Sequence, residues 1–295
     1  IRAFCLISTR RFEREADRIG MRVLFDSGFD PTAMPRFFAR MQHRTLDFSD
    51  PTLKLLRTHP VTEERIADSQ NRVRFYSPKP TQINASFPLI KSRITVLTAP
   101  TRHDILRRFQ KQWQAGNQAP GITYGYALAL IRNHQADKAI PLLDKLYQNT
   151  PNQPLFSLSL AEAQNAAHMP EAQQTLAKAY GHFPENTPIQ LAYAKTLLDY
   201  KHANKARLVL LNHQKDNALN PQYFALLAQA QGQSHQLIEA YQSRAQSDIL
   251  NHNLERAITQ LEQAAALATH KPQLRHKLRT AVAKLQNELT AISEL

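Results

Sequence analysis

Three residue series recur along the second half of this chain at one spacing. Ala127, Ala161, Ala194 and Ala228 are separated by 34, 33 and 34 residues. Ala139, Ala172, Ala206 and Ala240 step by 33, 34 and 34, and Pro120, Pro154, Pro188 and Pro221 by 34, 34 and 33. Three independent markers locked to one period do not arise by chance. They predict stacked helical hairpins: a small residue on each helix lets the pair pack closely, and a proline sets the corner between repeats.

Tyr126-Ala127, Leu160-Ala161 and Leu227-Ala228 keep an apolar-then-small pair. With them the region resembles a tetratricopeptide array, although the Trp-Leu-Gly part of the usual pattern is missing. The period is silent on what the array binds. Near the end the order changes, since Pro272 follows Pro221 by 51 residues. Residues 222–246 and 254–268 read as an irregular repeat, entered through the turn at Asn251 to Ala257. Residues 272–293 read as a capping helix with Leu274, Leu278, Val282, Leu285 and Leu289 inward. Lys277, Arg279, Lys284 and Glu288 then form the polar outer face that a terminal repeat needs.

The first part of the chain is also helical in pattern. Residues 10–26 predict a helix ended by Ser27-Gly28, with Gly28 in the left-handed region. Asp30-Pro31 supplies an N-cap and first-turn proline for a second helix to about Arg44. Leu46 to Ser49 reads as a loop, and Pro51 to Leu56 as a short helix or turn. Thr58-His59-Pro60 opens a third helix with Ile66, Ala67 and Val73 inward. Pro78, Pro80, Pro88 and Pro100 then bracket a β-branched stretch, Ile94 to Leu97, which predicts a linker with one short strand. The expected organisation is an all-α chain with a first domain over 1–76, a linker over 77–100 and the repeats with their capping helix over 101–295.

Composition narrows the function classes. The net charge of +13, from 37 Lys and Arg against 24 Asp and Glu, permits attraction to nucleic acid or anionic lipid. The basic residues are spread out, with Arg10, Arg11, Arg14, Arg18 and Arg22 the densest group, and no aromatic-basic recognition motif accompanies them. A solvated basic surface is the expectation, with no nucleic-acid partner. The single Cys5 forms no intrachain disulfide framework and brings no adjacent His or Asp that would make it a nucleophile. The run from Ile1 to Thr9 is far short of the ~20 residues of a membrane span, and it lacks the cleavage site of a signal peptide. Association with a membrane is peripheral at most.

The segment with chemical content is Arg11-Phe12-Glu13-Arg14-Glu15-Ala16-Asp17-Arg18-Ile19-Gly20. On a helix Glu13 and Asp17 lie four apart on one face, beside an apolar stripe of Phe12, Ala16, Ile19 and Val23. Two carboxylates one turn apart suit a metal ligand backed by a supporting group. By itself the pattern is equally an ordinary salt-bridged helix face using Arg10, Arg14 or Arg18. Glu15 pairs with a basic neighbour on either reading. No His is followed by Glu anywhere in the chain, so His-Glu-x-x-His is absent. None of the other eleven histidines besides His59 forms an i,i+4 pair, which argues against a second metal site.

The order EREADRIGMRVLFDSGFDPTAMPRFF, then THPVTEERIAD, then a linker and helical repeats, resembles the periplasmic β-barrel assembly-enhancing protease family of Gram-negative bacteria. The likeness runs from Arg10 to the last helix. It implies the C-terminal part of a zinc metallopeptidase domain followed by a tetratricopeptide solenoid, and repeats that bind outer-membrane β-barrel proteins and their assembly machinery. In that family zinc takes two His from His-Glu-x-x-His, a Glu from a later helix and a water. Carried over by position, Glu13 is the third zinc ligand, and Asp17 supports the His ligand helix. His59 lies by the metal, able to occupy its open position, and Arg65 faces the substrate oxyanion or stabilises the site. The family places the missing motif several dozen residues before Glu13. The expectation is a truncated zinc metalloendopeptidase concerned with outer-membrane protein assembly, without turnover of its own. The alternative is a non-enzymatic tetratricopeptide adaptor whose first helices only cap the array.

Overall fold

The computed structural model describes residues 2–44, 61–77 and 84–293, which are helices and turns with no strand among them. The chain divides into two compact units, Ile1–Ala85 and Ser86–Leu295.

In the first unit, α1 (Arg2–Asp26), α2 (Ala33–Arg44) and α3 (Glu63–Val73) follow in order, and α3 packs against both others. α1 ends at Gly28, whose φ of +80° lies where a side chain is strained. There Gly28 and Phe29 amides donate to the Phe25 and Leu24 carbonyls, satisfying the last turn. Asp30 organises the next turn. Its carboxylate accepts from the Thr32 amide at 2.9 Å, from the Thr32 hydroxyl, and from Arg36 at 2.6 Å. These bonds, the Thr32 hydroxyl first, hold the Asp30 carboxyl below its ordinary range, against a smaller opposing effect of burial. α3 takes its cap from Thr62, whose side chain accepts from the Arg65 amide, and Glu63 and Glu64 sit in its first turn, where the helix dipole favours them. The expected opening at Thr58-His59-Pro60, and the loop and turn between Leu46 and Leu56, lie outside the described residues.

The inward face of α1 differs from the expected one. Met21 is fully buried, which stabilises the unit by about 1.5–3 kcal/mol. Glu13 and Asp17 share its face. Phe12 and Val23, of the predicted apolar stripe, are 69% and 57% exposed. The reason is electrostatic: α3 delivers a guanidinium to the carboxylate face, and apolar periodicity carries no record of that counter-charge. On α3, likewise, the buried residue is Ser69, its hydroxyl donating to the Ile66 carbonyl at 2.7 Å, while Ala67 is exposed.

The second unit starts with α4 (Phe87–Thr98), where a linker and short strand were expected. Pro88 in the first turn starts the helix, and Leu89, Ser92 and Val96 bury one face. Here burial overrides the β-preference of Ile94, Thr95 and Val96. α4 and α5 (Arg102–Gln114) both pack on α6 (Pro120–Arg132). The hairpins that follow are α6 with α7 (Ala136–Asn149), α8 (Pro154–Ala166) with α9 (Glu171–His182), α10 (Thr187–Asp199) with α11 (Ala203–Leu211), and α12 (Pro221–Gln233) with α13 (Leu237–Leu250). α14 (Leu254–Leu267) and α15 (Pro272–Ser293) complete the unit.

Each marker of the period has a structural role. The four prolines open the first helix of a hairpin, where the missing amide hydrogen costs nothing. Ala127, Ala161, Ala194 and Ala228 are buried, as are Ala139, Ala172 and Ala206; Ala240 is half-buried. Gly125 goes further, since a β-carbon there would meet the Phe109 ring at 2.2 Å. α15 buries Leu278, Val282 and Leu285 and leaves Lys277, Arg279, Lys284 and Glu288 outward.

A fourth marker emerges only in three dimensions. His134, His168, Lys201 and His235 adopt φ of 57° to 62° in the turn within each hairpin, and His252 does so after α13. At each histidine its own amide and the next one donate back into the preceding helix, as in Gln135 to Leu130 at 2.9 Å and Gln236 to Gln231 at 2.9 Å. Glycine is the residue such a position favours. A side chain there costs roughly 1–2 kcal/mol.

Two outcomes follow. His235→Gly stabilises the repeat unit by about 1 kcal/mol, whereas His235→Val destabilises it by about 1–2 kcal/mol. Denaturant unfolding followed through Trp113 reads the difference, and a glycine variant no more stable than the valine variant contradicts the assignment. For Asp30, a depressed native pKa means a contribution fully present above the ordinary Asp value of about 4 and lost as pH falls through the native value. The protection of α2 amides, taken relative to their intrinsic exchange rates, therefore falls on acidification more in the wild type than in Asp30→Asn. Matching profiles would refute the turn's role.

Candidate functional site

Three of the four residues singled out by sequence come together between α1 and α3. Arg65 Nε and Nη2 donate to the two Asp17 carboxylate oxygens, each at 2.8 Å, and Nη1 lies 3.0 Å from Glu13 Oε2. This is the two-pronged geometry in which guanidinium and carboxylate bind most strongly. The side chains of Arg65, Asp17 and Glu13 are 14%, 14% and 22% exposed, so solvent screens them little. Beneath them the Phe38 ring, buried on α2, lies 5.0 Å from the Arg65 guanidinium carbon. The Asp17 hydrogen bond, opposed by burial and aided by both acidic charges, raises the Arg65 pKa and keeps it cationic.

Local sequence explains why the three meet. Glu13 and Asp17 are one turn apart on α1, and the Thr62 cap fixes the start of α3 so that Arg65 falls in its first turn. A second row reinforces the same contact, Arg14 touching Glu64 and lying 3.8 Å from Asp68. Glu15 pairs with Arg18 at 2.5 Å within α1, as expected of it. Asp17 therefore anchors Arg65, and Arg65 in turn orients Glu13. His59 lies outside the described residues.

The triad carries two negative charges against one positive. Its donor chemistry fits one carboxylate ligand of a metal, Glu13, held by a supporting pair. It does not by itself fit a zinc ion, which in hydrolases takes three protein ligands and an open position. No catalytic step through zinc is therefore assigned to these residues.

Sequence reasoning missed two groups in the repeat unit. Arg93 of α4 donates to Tyr124 Oη and Ser159 Oγ, both at 3.1 Å, and to Glu162 at 2.9 Å. Burial opposes its charge, yet the Glu162 bond and charge more than offset that and raise its pKa. Arg93 and Glu162 stand at one end of a groove of about 820 Å³, whose wall includes Asn165, Lys195, Asn220 and Gln229. The second group is Glu185, His213 and Asp216, metal-capable side chains brought together from different loops. The absence of an i,i+4 His pair did not foresee it; the one linear signal was Asp216 three residues after His213.

The model of the Peptidase family M48 matches residues 1–73, and that of the tetratricopeptide repeat matches residues 166–230. The beta-barrel assembly-enhancing protease of Escherichia coli (strain K12) is 31% identical over 264 residues, covering 88% of this chain and 53% of that protein. Its Yersinia pestis counterpart is 28% identical over 265 residues, covering 88% and 54%. The chain thus spans about half the length of these curated relatives. Glu13, Asp17 and Arg65 all lie within the stretch that matches the peptidase family. This chain is a relative of the beta-barrel assembly-enhancing proteases, joining an M48 peptidase region to tetratricopeptide repeats.

Proposed function

We propose that the first unit is the C-terminal part of a zinc metalloendopeptidase site and that the repeats hold partly folded outer-membrane β-barrel chains, or their assembly machinery, in the periplasm. The observation that carries this reading is the Arg65 clasp on Asp17 and Glu13. Two carboxylates are turned inward against a single guanidinium, leaving one negative charge in excess, while an apolar stripe on the same helix is left exposed. The clasp serves to present Glu13 as a ligand in a fixed orientation. Glu13 would hold the metal, Asp17 and Arg65 would position it, and His59 would occupy the open position and restrain activity. When bound, zinc supplies Lewis acidity and an activated water.

The described residues bring one carboxylate and no imidazole to that site. We therefore assign this chain no turnover by itself and a binding role for its repeats. Side-chain amides and Lys195 along the groove suit the backbone carbonyls of an extended segment. No described helix is long and apolar enough to cross a membrane.

The test incubates the chain with an unfolded, fluorescently labelled outer-membrane β-barrel protein and zinc. The expected outcome is a rise in anisotropy with no cleavage products. Cleavage that Glu13→Gln abolishes would show the chain to be an active peptidase. A flat anisotropy titration would remove the client-binding role.

A further inference from the structure

Between α9 and α12 the solenoid departs from its regular form. α11 stops after 9 residues, against 14 in α7 and 14 in α13. The chain then runs through turns from Asn212 before Pro221 opens α12. A regular hairpin would place helix here; this one places a buried histidine. His213 is 8% exposed, and its ring meets Tyr180 edge-on at 5.8 Å and 88°.

His213 is held from several sides. Its Nε2 is 2.9 Å from the Tyr180 hydroxyl. Asn217, also buried, donates from Nδ2 to the His213 carbonyl at 3.0 Å and toward Gln190 Oε1 at 3.3 Å. Gln190 in turn donates to the Pro184 carbonyl at 2.5 Å. This network ties the turn after α11 to the loop that follows α9, and it leaves Nδ1 of His213 facing the Asp216 carboxylate at 3.8 Å. Glu185, from the loop after α9, brings a second carboxylate. One donor atom from each of the three lies within 4.8 Å of the other two. Glu185 makes no hydrogen bond or ion pair with other described residues.

We propose that Glu185, His213 and Asp216 bind a zinc-like divalent transition-metal ion that staples two neighbouring repeats together. An imidazole with two carboxylates is a borderline donor set, matched to Zn²⁺ or Co²⁺; Ca²⁺ requires six to eight oxygens. In a tetrahedron of ~2.1 Å bonds the donors stand about 3.4 Å apart. Closing from the present spread needs only rotation of Glu185 and Asp216, both exposed. The buried member is already fixed. In the tautomer that carries its proton on Nε2, the ring donates to Tyr180 across the 2.9 Å contact and offers the Nδ1 lone pair to the ion, the arrangement usual at ligating histidines. Water completes the coordination. The ion would fix the loop after α9 against the segment leading to Asn220, which lies on the wall of the groove, and so set the angle between consecutive repeats where α11 is short.

The test uses the full chain carrying Glu13→Gln, stripped with a chelator and titrated with Zn²⁺ alone by calorimetry. The expected result is one site per chain, with affinity at least tenfold weaker in the Glu185→Gln, Asp216→Asn double variant. Zn²⁺ raises the thermal midpoint of the parent and leaves that of the double variant unmoved. Both substituted residues are exposed, so the double variant keeps its fold, which far-UV circular dichroism verifies. Equal affinities in the two proteins, or no heat of binding in the parent, would overturn the proposal.

Discussion

The fork of Arg65 is the contact on which the first unit's chemistry depends. Carboxylates turn inward only where a cation meets them with geometry good enough to offset lost hydration. Asp17 receives two of the Arg65 donors and Glu13 a third. Phe38 underlies the guanidinium, so the cation is gripped by acid on one side and by a ring on another. Thr62 sets where α3 begins and therefore where Arg65 points. Removing Arg65 leaves two half-buried carboxylates facing each other, and removing Asp17 takes away the two donors' main acceptor.

The repeat unit rests on a different economy, one of size. Buried alanines let paired helices approach, prolines start each first helix, and left-handed turns reverse the chain between them. Histidine occupies three of the four left-handed positions that follow the period. Each turn there accepts backbone strain in exchange for hydrogen bonds that close the helix end. Polar side chains then distinguish one repeat from the next. Arg93 joins α4 to the first hairpin through Tyr124 and to the second through Ser159 and Glu162, and His213 joins the third hairpin to α9 of the second through Tyr180.

What the sequence made legible follows from what kind of signal each feature leaves. Helix pairing recurs, so Ala127 and its successors announced it, and the Gly28 stop and the α15 cap were readable from local residue types. The triad's members were readable through resemblance, but their mutual contact was not. Nothing in the linear order links position 17 to position 65, and apolar periodicity chose the neighbouring face of α1. Ile94 to Leu97 misled because β-branched residues state a local preference that burial against α6 overrules. The left-handed histidines sit on the same period as the alanines, so the turns too leave a recurring mark in the sequence. Glu185 and His213 had no such route, since they are brought together only by the early end of α11.

The central claim is that Asp17 and Arg65 act as one unit, and a double-mutant cycle measures it directly. Asp17→Asn, Arg65→Gln and the pair would be compared through the protection of α3 amide hydrogens. For a half-buried, charge-assisted pair the account predicts a favourable coupling of about 1.5–3 kcal/mol. Additive effects, with coupling near zero, would contradict it.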